Sequence, residues 1–122
     1  MPEQDPITVA AIQHPPVFLD LGGSLARAES LIREAAGQGA QLTVFPETWL
    51  PGYPVWLDIT PGALLWDHPP AKEVFTILFE NSVEIPGPTV ARLSAAARDT
   101  KTTVVMGINI DINETTGWRG TN

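Results

Sequence analysis

Short apolar runs, each stopped by proline, glycine or a polar turn, alternate along this chain with segments whose apolar residues recur every three to four positions. Ile7 to Gln13 (ITVAAIQ) is β-branched and apolar on both faces, the pattern of a strand buried from two sides. His14-Pro15-Pro16 stops it, because proline has no N–H to give a ladder and restricts the residue before it. Ser24, after Gly22-Gly23, is the candidate N-cap of a helix in which Leu25, Ala28, Ile32 and Ala35 share one face, with Arg27, Glu29 and Arg33 turned away. Gly37 and Gly39 end it. Leu42 to Phe45 (LTVF) is a second buried strand, closed by Pro46. Strand, helix and strand within this length make a βαβ unit, which predicts parallel strands and a right-handed crossover.

From Thr48 to Pro70 no period is sustained. The stretch holds Trp49, Trp56 and Trp66 among prolines and glycines. Loops this long inside compact domains are functional or disordered, and three tryptophans argue for an ordered one. Ala71 to Asn81 reads as a helix with Val74, Ile77 and Leu78 on one side. Pro88-Thr89 opens another, with Val90, Leu93 and Ala97 as its stripe. Thr102 to Ile108 is a third buried strand, and Asp111 to Asn122 a polar, turn-rich tail. This order predicts an α/β layered architecture with a mostly parallel sheet. A Rossmann-type nucleotide domain would share that class, but no Gly-x-Gly-x-x-Gly turn follows either early strand.

Composition narrows the function classes. The 122 residues fit one domain, with a short tail over residues 1–6, and 43% apolar against 17% charged residues describes globular material. Seven basic against fourteen acidic residues give a net charge of -7. That balance argues against binding nucleic acid through phosphates and against attraction to an anionic membrane. The chain contains no cysteine, which excludes disulfides, thiolate metal sites and cysteine nucleophiles within these residues. No secretory signal opens the chain and no apolar stretch approaches the ~18 residues of a membrane span, so a soluble cytoplasmic protein is expected.

The candidate chemistry lies in Phe45-Pro46-Glu47-Thr48-Trp49-Leu50-Pro51-Gly52-Tyr53-Pro54. Open α/β sheets bind ligands beyond the carboxyl ends of their strands, and Glu47 falls two residues past one. Pro46 stiffens the exit. Phe45, Trp49 and Tyr53 around the carboxylate would partly desolvate it and suit it to general-base work. Pro51-Gly52 is a turn that brings Tyr53 back over the same rim. The plain alternatives are a helix N-terminal charge or a solvated rim residue for Glu47, and core packing for Trp49 and Trp56. Trp66 suits packing or an interface.

FPETWLPGYP, preceded by Gly39-Ala40-Gln41-Leu42, resembles the first signature of the nitrilase branch of the carbon–nitrogen hydrolase superfamily, with Glu47 on that family's catalytic glutamate. VAAIQHPPVFLDL, the stretch from Phe79 to Pro88 (FENSVEIPGP) and VVMGIN from Val104 to Asn109 look like the same family in the same order, and the likeness covers nearly the whole chain. Thr43 departs from it, standing where a second aliphatic residue is usual. The resemblance implies a partial, truncated α-β-β-α sandwich, with residues 1–122 the N-terminal part of a single domain. It further implies a Glu–Lys–Cys constellation in which the thiolate attacks a nitrile to give a thioimidate, then an acyl thioester, and water releases ammonia and a carboxylic acid. Glu47 would be the base, Tyr53 and Trp49 would contact substrate, and no metal or organic cofactor is implied. A small nitrile is the implied partner, and homo-oligomers the implied assembly.

The family's lysine and cysteine fall in sequence this chain does not contain. Lys72 and Lys101 lie outside the lysine's context, and neither the serines nor His14 and His68 are partnered as substitutes. The chain alone is therefore expected to be inactive, and an uncovered apolar sheet face is expected to make it poorly soluble or partly folded. Cyanide hydratases, cyanide dihydratases and amidases share the glutamate or the chemistry. A non-catalytic half-fold used for binding or assembly is the reading that the absent cysteine favours.

Overall fold

The computed structural model describes residues 4–65 and 67–111. Trp66 and the tail beyond Asp111 lie outside them. The elements run β1 (Val9–Ala11), α1 (Leu21–Gly37), β2 (Leu42–Val44), α2 (Trp56–Ile59), α3 (Pro69–Glu80), β3 (Val83–Glu84), α4 (Pro88–Thr100), β4 (Thr103–Val105) and β5 (Ile110–Asp111). The α/β class read from the sequence is the one found. β1, β2 and β4 form a parallel sheet with β2 in the middle, in the register Ala10, Thr43, Val104 across the three strands.

Strand alternation decides which side of this sheet is covered. Ile12, Phe45, Val104 and Met106 join Ala28, Leu31 and Ile32 of α1 and Ala96 of α4 in one apolar core. The exposed ion pair of Glu29 with Arg92 ties the two helices together at the surface. The opposite face carries Val9 and Val105, which stay 50% and 49% exposed. Strands apolar on both faces were expected to be buried on both. Among the described residues only the helix face is.

Several boundaries move for local reasons. The N-cap of α1 is Asp20, not Ser24: its extended backbone precedes the helix, and its carboxylate accepts from the Gly23 N–H at 2.9 Å. A Cβ at Gly23 would sit 2.6 Å from Asp20 Oδ2, so the glycines belong to the first turn. Ser24 is fully buried inside the helix, where its hydroxyl donates to the Val17 carbonyl at 2.8 Å. α3 begins two residues earlier than expected, with prolines in its first turn and His68 Nδ1 accepting from Ala71 N–H. The third strand keeps its ladder only to Val105. The chain then makes an isolated parallel bridge from Ile108 to Leu50 and a second, two-stranded parallel sheet of β5 with β3. Two-residue strands carry no period, so neither was legible.

Among its described residues, the stretch from Thr48 to Pro70 packs around Trp49 and Trp56 and includes the short helix α2. Trp56 is buried there with Ala63, Ala71 and Leu78, and its ring meets Phe18 and Phe75 edge-on at 6.3 and 5.1 Å.

Thr43 sits in the middle of β2 with no exposure, and its hydroxyl has no hydrogen-bond partner. Burying a hydroxyl without a partner costs about 1–3 kcal/mol, while a methyl in its place keeps the shape. Thr43→Val is expected to raise stability by about 1 kcal/mol in chemical denaturation. A loss of that size would show that the hydroxyl has a partner after all.

Candidate functional site

β2 delivers the chain to the carboxyl-terminal edge of the sheet, and its ladder continues one residue further: Phe45 N–H donates to the Val105 carbonyl at 2.8 Å. Phe45 turns to the helix side and is buried, with the Trp49 ring edge-on at 4.9 Å. The chain then swings outward at Pro46 and Glu47, both exposed. Thr48 takes φ 49, a left-handed conformation that a β-branched residue adopts only when its surroundings hold it there. Leu50 returns to the sheet, accepting from Asn109 N–H at 2.8 Å and donating to the Gly107 carbonyl at 3.1 Å.

Three further ties fix the excursion. The Trp49 indole N–H donates to the His14 carbonyl at 2.8 Å, joining it to the turn after β1. Leu19 N–H donates to Pro51 O at 3.1 Å, and Asn109 Nδ2 to Gly52 O at 3.0 Å. Gly52 has φ 148, and a Cβ there would lie 2.7 Å from the Phe18 ring, so glycine is required on both counts.

A cavity of about 460 Å³ opens above this rim, lined by Glu47, Trp49, Tyr53, His14 and the prolines at 15, 16 and 46. The structure thus brings all three sequence-predicted residues to one cavity, in unequal ways. Glu47 and Tyr53 are exposed at its mouth, Tyr53 at 44%. Trp49, only 2% exposed, contributes mainly as a wall that is also core. The expected desolvation of Glu47 by three aromatic rings is corrected. The chain leaves the sheet after Phe45, so that ring stays in the core while the Glu47 side chain is exposed to solvent. Its oxygens have no hydrogen-bond partner among the described residues.

Such a rim holds the Glu47 backbone in place and leaves the carboxylate at the cavity mouth able to take a proton from a group set opposite. No cysteine, serine, lysine or arginine is among the cavity's lining residues. Lys72 pairs with Asp67, and Lys101 is the left-handed C-cap of α4. Sequence reasoning missed Gly107 and Asn109 as parts of this site. A glycine inside the strand read at Thr102–Ile108 is the signal that would have found the first, since such a glycine often marks close backbone approach.

Open α/β proteins commonly bind small molecules at the carboxyl edge of the sheet, which is where this braced loop and its carboxylate lie. Comparison with known proteins makes the class specific. This chain belongs to the carbon-nitrogen hydrolase family, whose model matches residues 8–119. It is 42% identical over 103 residues to an arylacetonitrilase of Aspergillus niger, covering 84% of this chain and 28% of that protein. It is 40% identical over 105 residues to a bifunctional nitrilase/nitrile hydratase of Oryza sativa subsp. japonica, covering 84% and 29%. With a nitrilase of Pseudomonas syringae pv. syringae it shares 38% identity over 106 residues, covering 85% and 29%. The chain spans less than a third of the length of these relatives. No helix among the described residues is long and apolar enough to cross a membrane.

Proposed function

We propose that residues 1–122 are the N-terminal part of a single nitrilase-type domain that converts a small nitrile and two waters to a carboxylic acid and ammonia. The observation that carries this reading is Glu47 on a braced loop at the mouth of a cavity, in a chain of the carbon-nitrogen hydrolase family. Glu47 is the general base, first for a cysteine thiol and then for water. The cysteine and a charge-stabilising lysine come from sequence outside these residues. Tyr53, and to a lesser degree Trp49, form the wall against which the nitrile's carbon chain lies. The open face bearing Val9 and Val105 is where the second sheet of an α-β-β-α sandwich packs. Family likeness further implies a homo-oligomer.

Product analysis tests the reading. The full-length protein is expected to release ammonia and acid from arylaliphatic or aliphatic nitriles, while the 122-residue chain, which has no cysteine, releases none at an enzymatic rate. Enzymatic ammonia release from the short chain would overturn the division of labour. Amide as the main product of the full-length protein would favour the hydratase alternative, which the bifunctional rice relative makes specific. A full-length protein inert on nitriles, cyanide and amides would favour a non-catalytic half-fold.

A further inference from the structure

We infer that Gly107, with Asn109 beside it, is the positioning residue for Glu47: the segment leaving β4 is a template against which the glutamate's loop is moulded. This rests on Glu47 being the base and adds what sets its direction. A Cβ built on Gly107 would lie 2.2 Å from Pro46 O, 2.6 Å from Thr48 N and 2.8 Å from Glu47 Cα. All three contacts are backbone, spanning the residue that carries the carboxylate and both its neighbours. Side chains can rotate away from an added methyl. These atoms cannot, because the loop is held on each side of the contact.

Upstream, Phe45 N–H is bonded to Val105 O; downstream, Leu50 is bonded to Gly107 O and Asn109 N. The Asn109 side chain then reaches Gly52 O at 3.0 Å, bracing the turn that leads to Tyr53. Thus Val105 at the end of β4, with Gly107 and Asn109 in the segment that follows, grip the loop at Phe45, Leu50 and Gly52, and the bare Cα at 107 admits the Glu47 backbone between the grips. The left-handed Thr48 belongs to the same device, since the tight return towards Leu50 starts there.

Relieving a 2.2 Å approach to ordinary contact requires a displacement on the order of 1 Å, and misplacing a catalytic group that far costs about a hundredfold in rate. In the full-length protein, Gly107→Ala is expected to lower kcat about a hundredfold with KM changed less than about threefold, after normalising to folded protein by circular dichroism. A purely structural role would lower the folded fraction and leave kcat per folded molecule unchanged, and that result overturns the inference. Asn109→Ala decides the matter should Gly107→Ala fail to fold. Its backbone bonds to Leu50 and Val83 do not depend on the side chain, and kcat per folded molecule is expected to drop several-fold. An unchanged kcat there overturns the inference as well. Glu47→Gln run in parallel separates the two claims: if it retains activity the base assignment has failed, whereas loss in Glu47→Gln with wild-type rates in both other variants defeats the positioning claim alone.

Discussion

Glu47→Gln in the full-length protein is expected to lower kcat about a thousandfold while leaving the melting temperature unchanged, because general-base catalysis contributes about 10²–10⁴ in rate. The two expectations come from different observations. Glutamine keeps the shape of the side chain but cannot accept a proton at neutral pH, so the loss falls on chemistry. Glu47 is exposed and its carboxylate has no hydrogen-bond partner among the described residues, so no contact among them is broken. Exposed substitutions away from caps and ion pairs stay within about 0.5 kcal/mol. Paired rate and melting measurements check both halves. A variant that keeps a tenth of the wild-type kcat would remove Glu47 from the catalytic role.

Trp49→Ala is expected to be the most destabilising single change near the site, by about 3–5 kcal/mol in chemical denaturation of the full-length protein. The ring is 2% exposed, packs edge-on to Phe45 at 4.9 Å and donates to the His14 carbonyl. Truncation removes a large buried area, an aromatic pair worth about 0.5–1.5 kcal/mol beyond its area, and the tie between the loops after β1 and β2. Trp49→Phe should lose far less, mainly the hydrogen bond at about 1 kcal/mol, since the His14 carbonyl can turn to water in its exposed loop. Equal destabilisation by both variants would mean that the N–H tie outweighs the packing.

The sequence announced what periodicity and proline can announce. The β-α-β opening, the parallel pairing and the rim position of Glu47 all follow from Ile7–Gln13, Leu25–Ala35 and Leu42–Pro46. The cap of α1 was misplaced because Asp20 and Ser24 are both good cap residues, and only the burial of Ser24 separates them. Desolvation of Glu47 was over-read. Proximity in sequence to Phe45 says nothing of direction: Phe45 is the last residue held in the ladder and is buried, whereas the chain swings outward at Pro46 and exposes Glu47. The β3–β5 pair was illegible because it joins segments far apart in the chain through backbone atoms, which leave no mark on side-chain pattern; the Gly107 contact left one mark, the glycine itself, which does not say what approaches it.

The half-exposed Val9 and Val105 also bear on how such a protein is made. In the proposed whole domain, ribosomes finish this layer first, at roughly 5–20 residues per second, and its bare sheet waits for partners not yet synthesised. During that interval the nascent polypeptide carries a wet apolar plane flanked by unpaired strand edges, the kind of surface chaperones shield and neighbouring nascent chains stick to. Slower translation through the later part of the message should lengthen the exposure and lower the soluble yield of the full-length protein.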